Sequence, residues 1–190
     1  LGATEPILCA AGNVANATGS AECAPCTAGS FQAAKGQTAC DTCTAGGYCS
    51  TGAVAPTLCE AGRYSGDWGN TAEASCAACE QGHSCATGST APAPCATGTF
   101  AAAMEASACE ACAAGTYQDV EQGTACKACT LGGFCAFGAS VAKPCEAGTH
   151  GNETGLTSQS GCHVCPAGSA CSLGSTAPTP CGAGSIAVDE

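Results

Sequence analysis

The chain has 190 residues, with 21 cysteines and 27 glycines, and its 15 acidic and 4 basic residues give a net charge of −11. Leu, Ile, Val and Phe together number 18, under the roughly 20 % that accompanies a packed core, which argues against a large layered enzyme fold. So few Lys and Arg also argue against nucleic acid and anionic membrane surfaces as partners. No apolar run approaches the ~18 residues of a membrane span, so direct membrane insertion of this segment is not expected. Cysteine at this density marks a disulfide scaffold. Reduced, such a chain should be disordered; oxidised, sulfur replaces the missing core.

Along the chain the cysteines repeat. Those at 9, 23, 26, 40, 43, 49, 59, 76, 79 and 85 recur 86 residues later, at 95, 109, 112, 126, 129, 135, 145, 162, 165 and 171. Residues 9–94 and 95–180 share 36 identities, 26 of them outside cysteine. The division expected is therefore 1–8 as the end of a preceding repeat, 9–94 and 95–180 as two cysteine-rich repeats, and 181–190 as the start of a third. Leu1-Gly2-Ala3-Thr4-Glu5-Pro6 matches Leu173-Gly174-Ser175-Thr176-Ala177-Pro178, which supports a window cut from a longer array. The twenty-first cysteine, Cys181, is the first of a third period, and its partner is expected beyond Glu190.

A shorter module lies inside the period. Cys-x-x-Gly starts at 9, 26, 43, 59, 79, 95, 112, 129, 145, 165 and 181, and the remaining cysteines alternate with these and lack the glycine. Five residues after each start stand Val14, Phe31, Tyr48, Tyr64, Ser84, Phe100, Tyr117, Phe134, His150, Ala170 and Ile186, a column holding every tyrosine and most phenylalanines. Each ring is expected to cover a disulfide and pack on the next module; a ligand-stacking ladder is the alternative. The glycine is expected to supply a positive-φ turn. Gly, Pro, Ser and Thr every few residues predict small irregular hairpins with strands of two to four residues. The Ala-rich run from Phe100 to Met104 favours one helical turn, too short to stand as a helix alone. Modules touching only their neighbours would form an extended rod, little regular in secondary structure.

Cys112-Ala-Ala-Gly-Thr-Tyr117, closing at Cys126-Lys-Ala-Cys129, resembles the ephrin-receptor-like cysteine-rich repeats, similar in style to tumour-necrosis-factor-receptor and furin-like modules. Cys43-Thr-Ala-Gly-Gly-Tyr-Cys49, with Pro56 and Cys59, resembles the short variant. Alanine often stands where the family has proline (Ala10, Ala61, Ala147), while Pro166 keeps it. The resemblance implies an extracellular location, secreted or on a cell or ciliary surface, as in large protist or algal surface proteins. The alternating cysteine classes favour pairing each Cys-x-x-Gly cysteine with the next: Cys9–Cys23, Cys26–Cys40, Cys43–Cys49, Cys59–Cys76 and Cys79–Cys85. The same scheme gives Cys95–Cys109, Cys112–Cys126, Cys129–Cys135, Cys145–Cys162 and Cys165–Cys171. Crossed pairing of the tumour-necrosis-factor-receptor style is the alternative.

Other chemistry is weighed against this. Cys23, Cys26, Cys40 and Cys43 have the spacing of a four-thiolate zinc site, as do Cys109, Cys112, Cys126 and Cys129. The same grammar runs through modules without that spacing, so no metal ligand is assigned. Cys-x-x-Cys redox chemistry lacks its βαβ context. His83, His150 and His163 read as scattered, His150 as a substituted ring. Asp119 and Glu121 read as surface acids, with weak calcium binding the alternative. No catalytic residue or cofactor is assigned, and no enzyme is expected. Asn16-Ala-Thr18 and Asn152-Glu-Thr154 are N-glycosylation sequons, so attached glycans are expected. The Ser-Thr-Ala-Pro stretches starting at Ser89 and Ser175 read as extended connectors, with O-glycosylation the alternative. Trp68 reads as a lid over a disulfide. The function expected is a structural segment of a surface coat, ciliary hair or filament, partnered by itself or by other coat proteins. A ligand-binding or stalk ectodomain of a receptor is the alternative.

Overall fold

Turn residues every few positions leave no room for long elements, and among the described residues every strand is two residues long. The computed structural model describes residues 8–15, 20 and 22–185. Among these residues lie ten two-stranded sheets and two short 3₁₀ turns, Glu73–Ser75 and Gln159–Gly161. The two turns occupy equivalent places in the 86-residue period. Among the described residues no helix is long and apolar enough to cross a membrane.

The chain falls into two compact units. One runs up to Glu80 and takes in Ser84–Ala93 and Met104–Ala108; the other comprises Gln81–His83, Pro94–Ala103 and the chain from Cys109 on. In the first unit, Asn13–Val14 pairs antiparallel with Ala24–Pro25, Ser30–Phe31 with Asp41–Thr42, Gly47–Tyr48 with Thr57–Leu58, and Arg63–Tyr64 with Ala77–Ala78. In the second, Thr99–Phe100 pairs with Glu110–Ala111, Thr116–Tyr117 with Lys127–Ala128, and Gly133–Phe134 with Lys143–Pro144. Thr149–His150 then pairs with His163–Val164, and Ser169–Ala170 with Thr179–Pro180. The first strand of each hairpin thus ends on the ring column.

Successive modules are joined by backbone bonds that recur in both units. Gly29 N–H donates to the Cys49 carbonyl (2.8 Å), and Cys43 N–H donates back to the Gly29 carbonyl (2.9 Å). One period on, Gly115 N–H donates to Cys135 and Cys129 N–H to Gly115, each at 2.8 Å. The glycines of the Cys-x-x-Gly motifs have φ between 75° (Gly132) and 90° (Gly62), a region that side chains rarely adopt. At most of these glycines space forbids a side chain as well. A Cβ on Gly29 or Gly115 would stand 2.5 Å from the carbonyl oxygen of Gly69 or Gly155, two modules further on. Gly69 and Gly155 belong to a second positive-φ turn, whose N–H groups donate to the carbonyls of Cys43 (2.8 Å) and Cys129 (2.9 Å). Non-glycine residues make that second turn at Glu105 (φ 61°) and Gln122 (φ 60°).

The core is sulfur. The largest fully buried side chains are cysteines, among them Cys43, Cys49, Cys79, Cys85, Cys112, Cys129 and Cys145. Most column rings are half-buried, and Val14 and His150 are buried. Among the described residues the only ring–ring contact is His150 with His163, so the column rings do not stack on one another.

Two expectations are corrected. The run from Phe100 to Met104 is not helical: Phe100 closes a strand, Ala101 N–H donates to the Gly123 carbonyl (3.0 Å), and the chain then turns at Glu105. Cross-module bonding outweighs alanine's preference over so short a run. Trp68 is no lid either, being 66 % exposed. Its loop is tied down through Asn70, whose two Nδ2 hydrogens are shared among the Gly47 carbonyl (3.1 Å), Ser65 Oγ (2.7 Å) and the Asp67 carbonyl (2.8 Å). The indole is left outside.

Candidate functional site

The disulfide array is the candidate site, because the cysteines carry the buried interior. Among the described residues there are ten bonds, joining Cys9 to Cys23, Cys26 to Cys40, Cys43 to Cys49, Cys59 to Cys76 and Cys79 to Cys85. The second period joins Cys95 to Cys109, Cys112 to Cys126, Cys129 to Cys135, Cys145 to Cys162 and Cys165 to Cys171. Cα–Cα separations run from 5.6 Å (Cys9–Cys23) to 6.0 Å (Cys79–Cys85), ordinary for disulfides. Cys181 carries no bond.

Two kinds of staple run along the hairpins, in the order long, long, short, long, short in each period. In the long kind, separated by 14 or 17 residues, the second cysteine lies directly before the second strand, so the bond closes the hairpin loop. In the short kind, separated by 6 residues, the second cysteine directly follows the first strand, as Cys49 follows Tyr48. That bond closes only the glycine turn. The hairpin brings both ends of each link together, so the pairing follows the local fold.

This arrangement bears on the other chemistries. In each Cys-x-x-Cys the two cysteines enter different bonds, so no such motif forms its own dithiol couple: Cys23 pairs with Cys9, and Cys26 with Cys40. The sulfurs with zinc-like spacing are likewise committed to disulfides rather than presented as thiolates. Asp119 accepts a 2.5 Å hydrogen bond from Lys127 Nζ, so a cation already occupies that carboxylate. The bond holds the Asp119 carboxyl below its ordinary range and raises the Lys127 ammonium above its own. Arg63 bonds the Cys76 carbonyl (2.9 Å) and Glu105 Oε1 (2.6 Å). Asn152 lies exposed in a loop with Glu153 and Thr154. Asn16 lies outside the described residues.

Sequence reasoning missed one pair of structural side chains. Gln32 and Gln118 are buried polar groups one period apart. Gln32 Nε2 donates to the Ala39 carbonyl and Ala34 N–H donates to Gln32 Oε1, each at 2.9 Å. Gln118 does the same with the Ala125 carbonyl (2.6 Å) and Val120 N–H (3.2 Å). In each case the buried amide has its own polar atoms satisfied by the loop backbone. A signal was present: glutamine is identical in both periods, while the two residues after it differ.

A family model described as tyrosine-protein kinase ephrin type A/B receptor-like matches residues 12–59 and 98–143. The matched segments start one period apart. No curated protein matches the chain.

Proposed function

We propose, from two segments that belong to the ephrin-receptor-like cysteine-rich repeat family, that this chain is a non-enzymatic structural segment of an extracellular coat, ciliary hair or filament. The family match and the disulfide density support an extracellular or surface disulfide-rich module. The observation that carries the structural reading is the exact repetition of bonding. The backbone bonds of Gly29 and Gly115, the amide clamps of Gln32 and Gln118, and the staples themselves recur at 86 residues. An assembling filament needs equal spacing along its length, and this repetition supplies it. Partners are then further copies of the chain or other coat proteins, with glycans attached at Asn152 and Asn16.

Exposed apolar side chains that break the period favour a second reading, a ligand-binding or stalk ectodomain. Trp68 is 66 % and Phe137 75 % exposed, and their counterparts are Thr154 and Thr51. Negative-stain microscopy of native material separates the two. Regularly spaced filaments are expected; monodisperse, non-assembling particles would count against the structural role.

A further inference from the structure

Three histidines read as scattered in the sequence, but the hairpin register sets two of them opposite each other. His150 and His163 are direct cross-strand partners, with ring centroids 5.7 Å apart and planes tilted by 42°. Two imidazoles gripping one tetrahedral ion place their centroids about 5 Å apart, given metal–nitrogen bonds of about 2.0–2.1 Å. A small side-chain rotation covers the difference. His150 is 8 % exposed and its Nδ1 faces the Cys171 sulfur at 4.0 Å, which leaves Nε2 for a ligand. His163 is exposed and opens the pair to solvent.

The pairing is peculiar to this hairpin. One period earlier the same cross-strand positions are Tyr64 and Ala77, a ring against a methyl group. Other hairpins set Phe31 against Asp41 and Tyr117 against Lys127. We propose that His150 and His163 form a binding site for a divalent transition ion of the zinc or copper(II) class, for which neutral imidazole is a preferred ligand. Among the described residues no group of three or more His, Cys, Asp or Glu side chains can hold a metal ion. The ion is therefore held by two protein ligands, with water filling its open positions.

Zinc(II) titration of the oxidised chain, followed through the histidine ring proton resonances, tests the site. The His150 and His163 signals shift together and saturate at one ion per chain, while His83 stays in place. His150→Tyr and His163→Ala recreate the Tyr64–Ala77 pair that the fold already accommodates, so both variants keep the dispersed spectrum of the folded chain. Each weakens zinc binding by more than the roughly tenfold to hundredfold that loss of a second-shell partner costs. Zinc binding unchanged in either variant, or His83 shifting in step with the other two, overturns the proposal.

Discussion

At the residue scale, the glycines of the Cys-x-x-Gly motifs do two separable jobs. Gly115 (φ +86°) needs both its backbone conformation and its empty volume, since a Cβ would stand 2.5 Å from the Gly155 carbonyl oxygen. Gly148 (φ +81°) needs the conformation alone, since a Cβ there meets nothing within 4 Å. Gly148→Ala should cost about 1–2 kcal/mol, the left-handed penalty by itself. Gly115→Ala should cost more, because a backbone carbonyl has to move. Guanidinium unfolding of the oxidised variants checks the order; equal losses would refute it. Electrostatics at this scale are local. Asp119 titrates below its ordinary 3.8 because Lys127 bonds its charged form. Any stability from the pair is present above that ordinary value and lost as pH falls through the lower folded value. The side chains are 43 % and 52 % exposed, so water screens them. Lys127→Ala should raise the Asp119 titration midpoint, read from its carboxyl carbon shift, without altering the fold.

At the element scale, strands this short cannot stand alone, and their stability lies in what closes them. The long staples close hairpin loops, and the buried glutamines close the turn beside them. Gln118→Ala removes the bonds to the Ala125 carbonyl and the Val120 N–H, at about 0.5–1.5 kcal/mol for each bond lost. Gln118→Glu should also destabilise, because the carboxylate cannot donate to Ala125. Thermal unfolding measures both, and a variant as stable as the parent would remove the clamp from the account. Much of this scale is legible in the chain. Two alternating cysteine classes and a fixed Cys-to-Gly offset already describe a stapled turn followed by a hairpin. The Phe100–Met104 run shows the limit: its alanines favour helix, but Ala101 is fixed by the bond its N–H donates to the Gly123 carbonyl, in the next module.

At the scale of the whole molecule, a fold whose fully buried side chains are cysteines depends on oxidation. Reduction should abolish it, because 18 Leu, Ile, Val and Phe residues in 190 bury too little apolar area to offset chain entropy. Amide spectra recorded with and without a strong reductant should show dispersed signals collapsing into the random-coil range. A reduced chain that keeps its dispersion would mean that the backbone bonds between modules suffice.

The sequence by itself determined the period, the modules, the disulfide-rich class and the family resemblance. These are properties of spacing, and spacing is written along the chain. It also held the signs of the positive-φ turn, because glycine at a fixed offset has a local cause. Only the tertiary structure decided which side chains meet across a hairpin or between modules. Trp68 lies outside because Asn70 closes its loop beneath it. His150 and His163, 13 residues apart, face each other only because the hairpin register pairs them. Contacts of this kind depend on register, and register is set by backbone bonds that composition and periodicity do not specify.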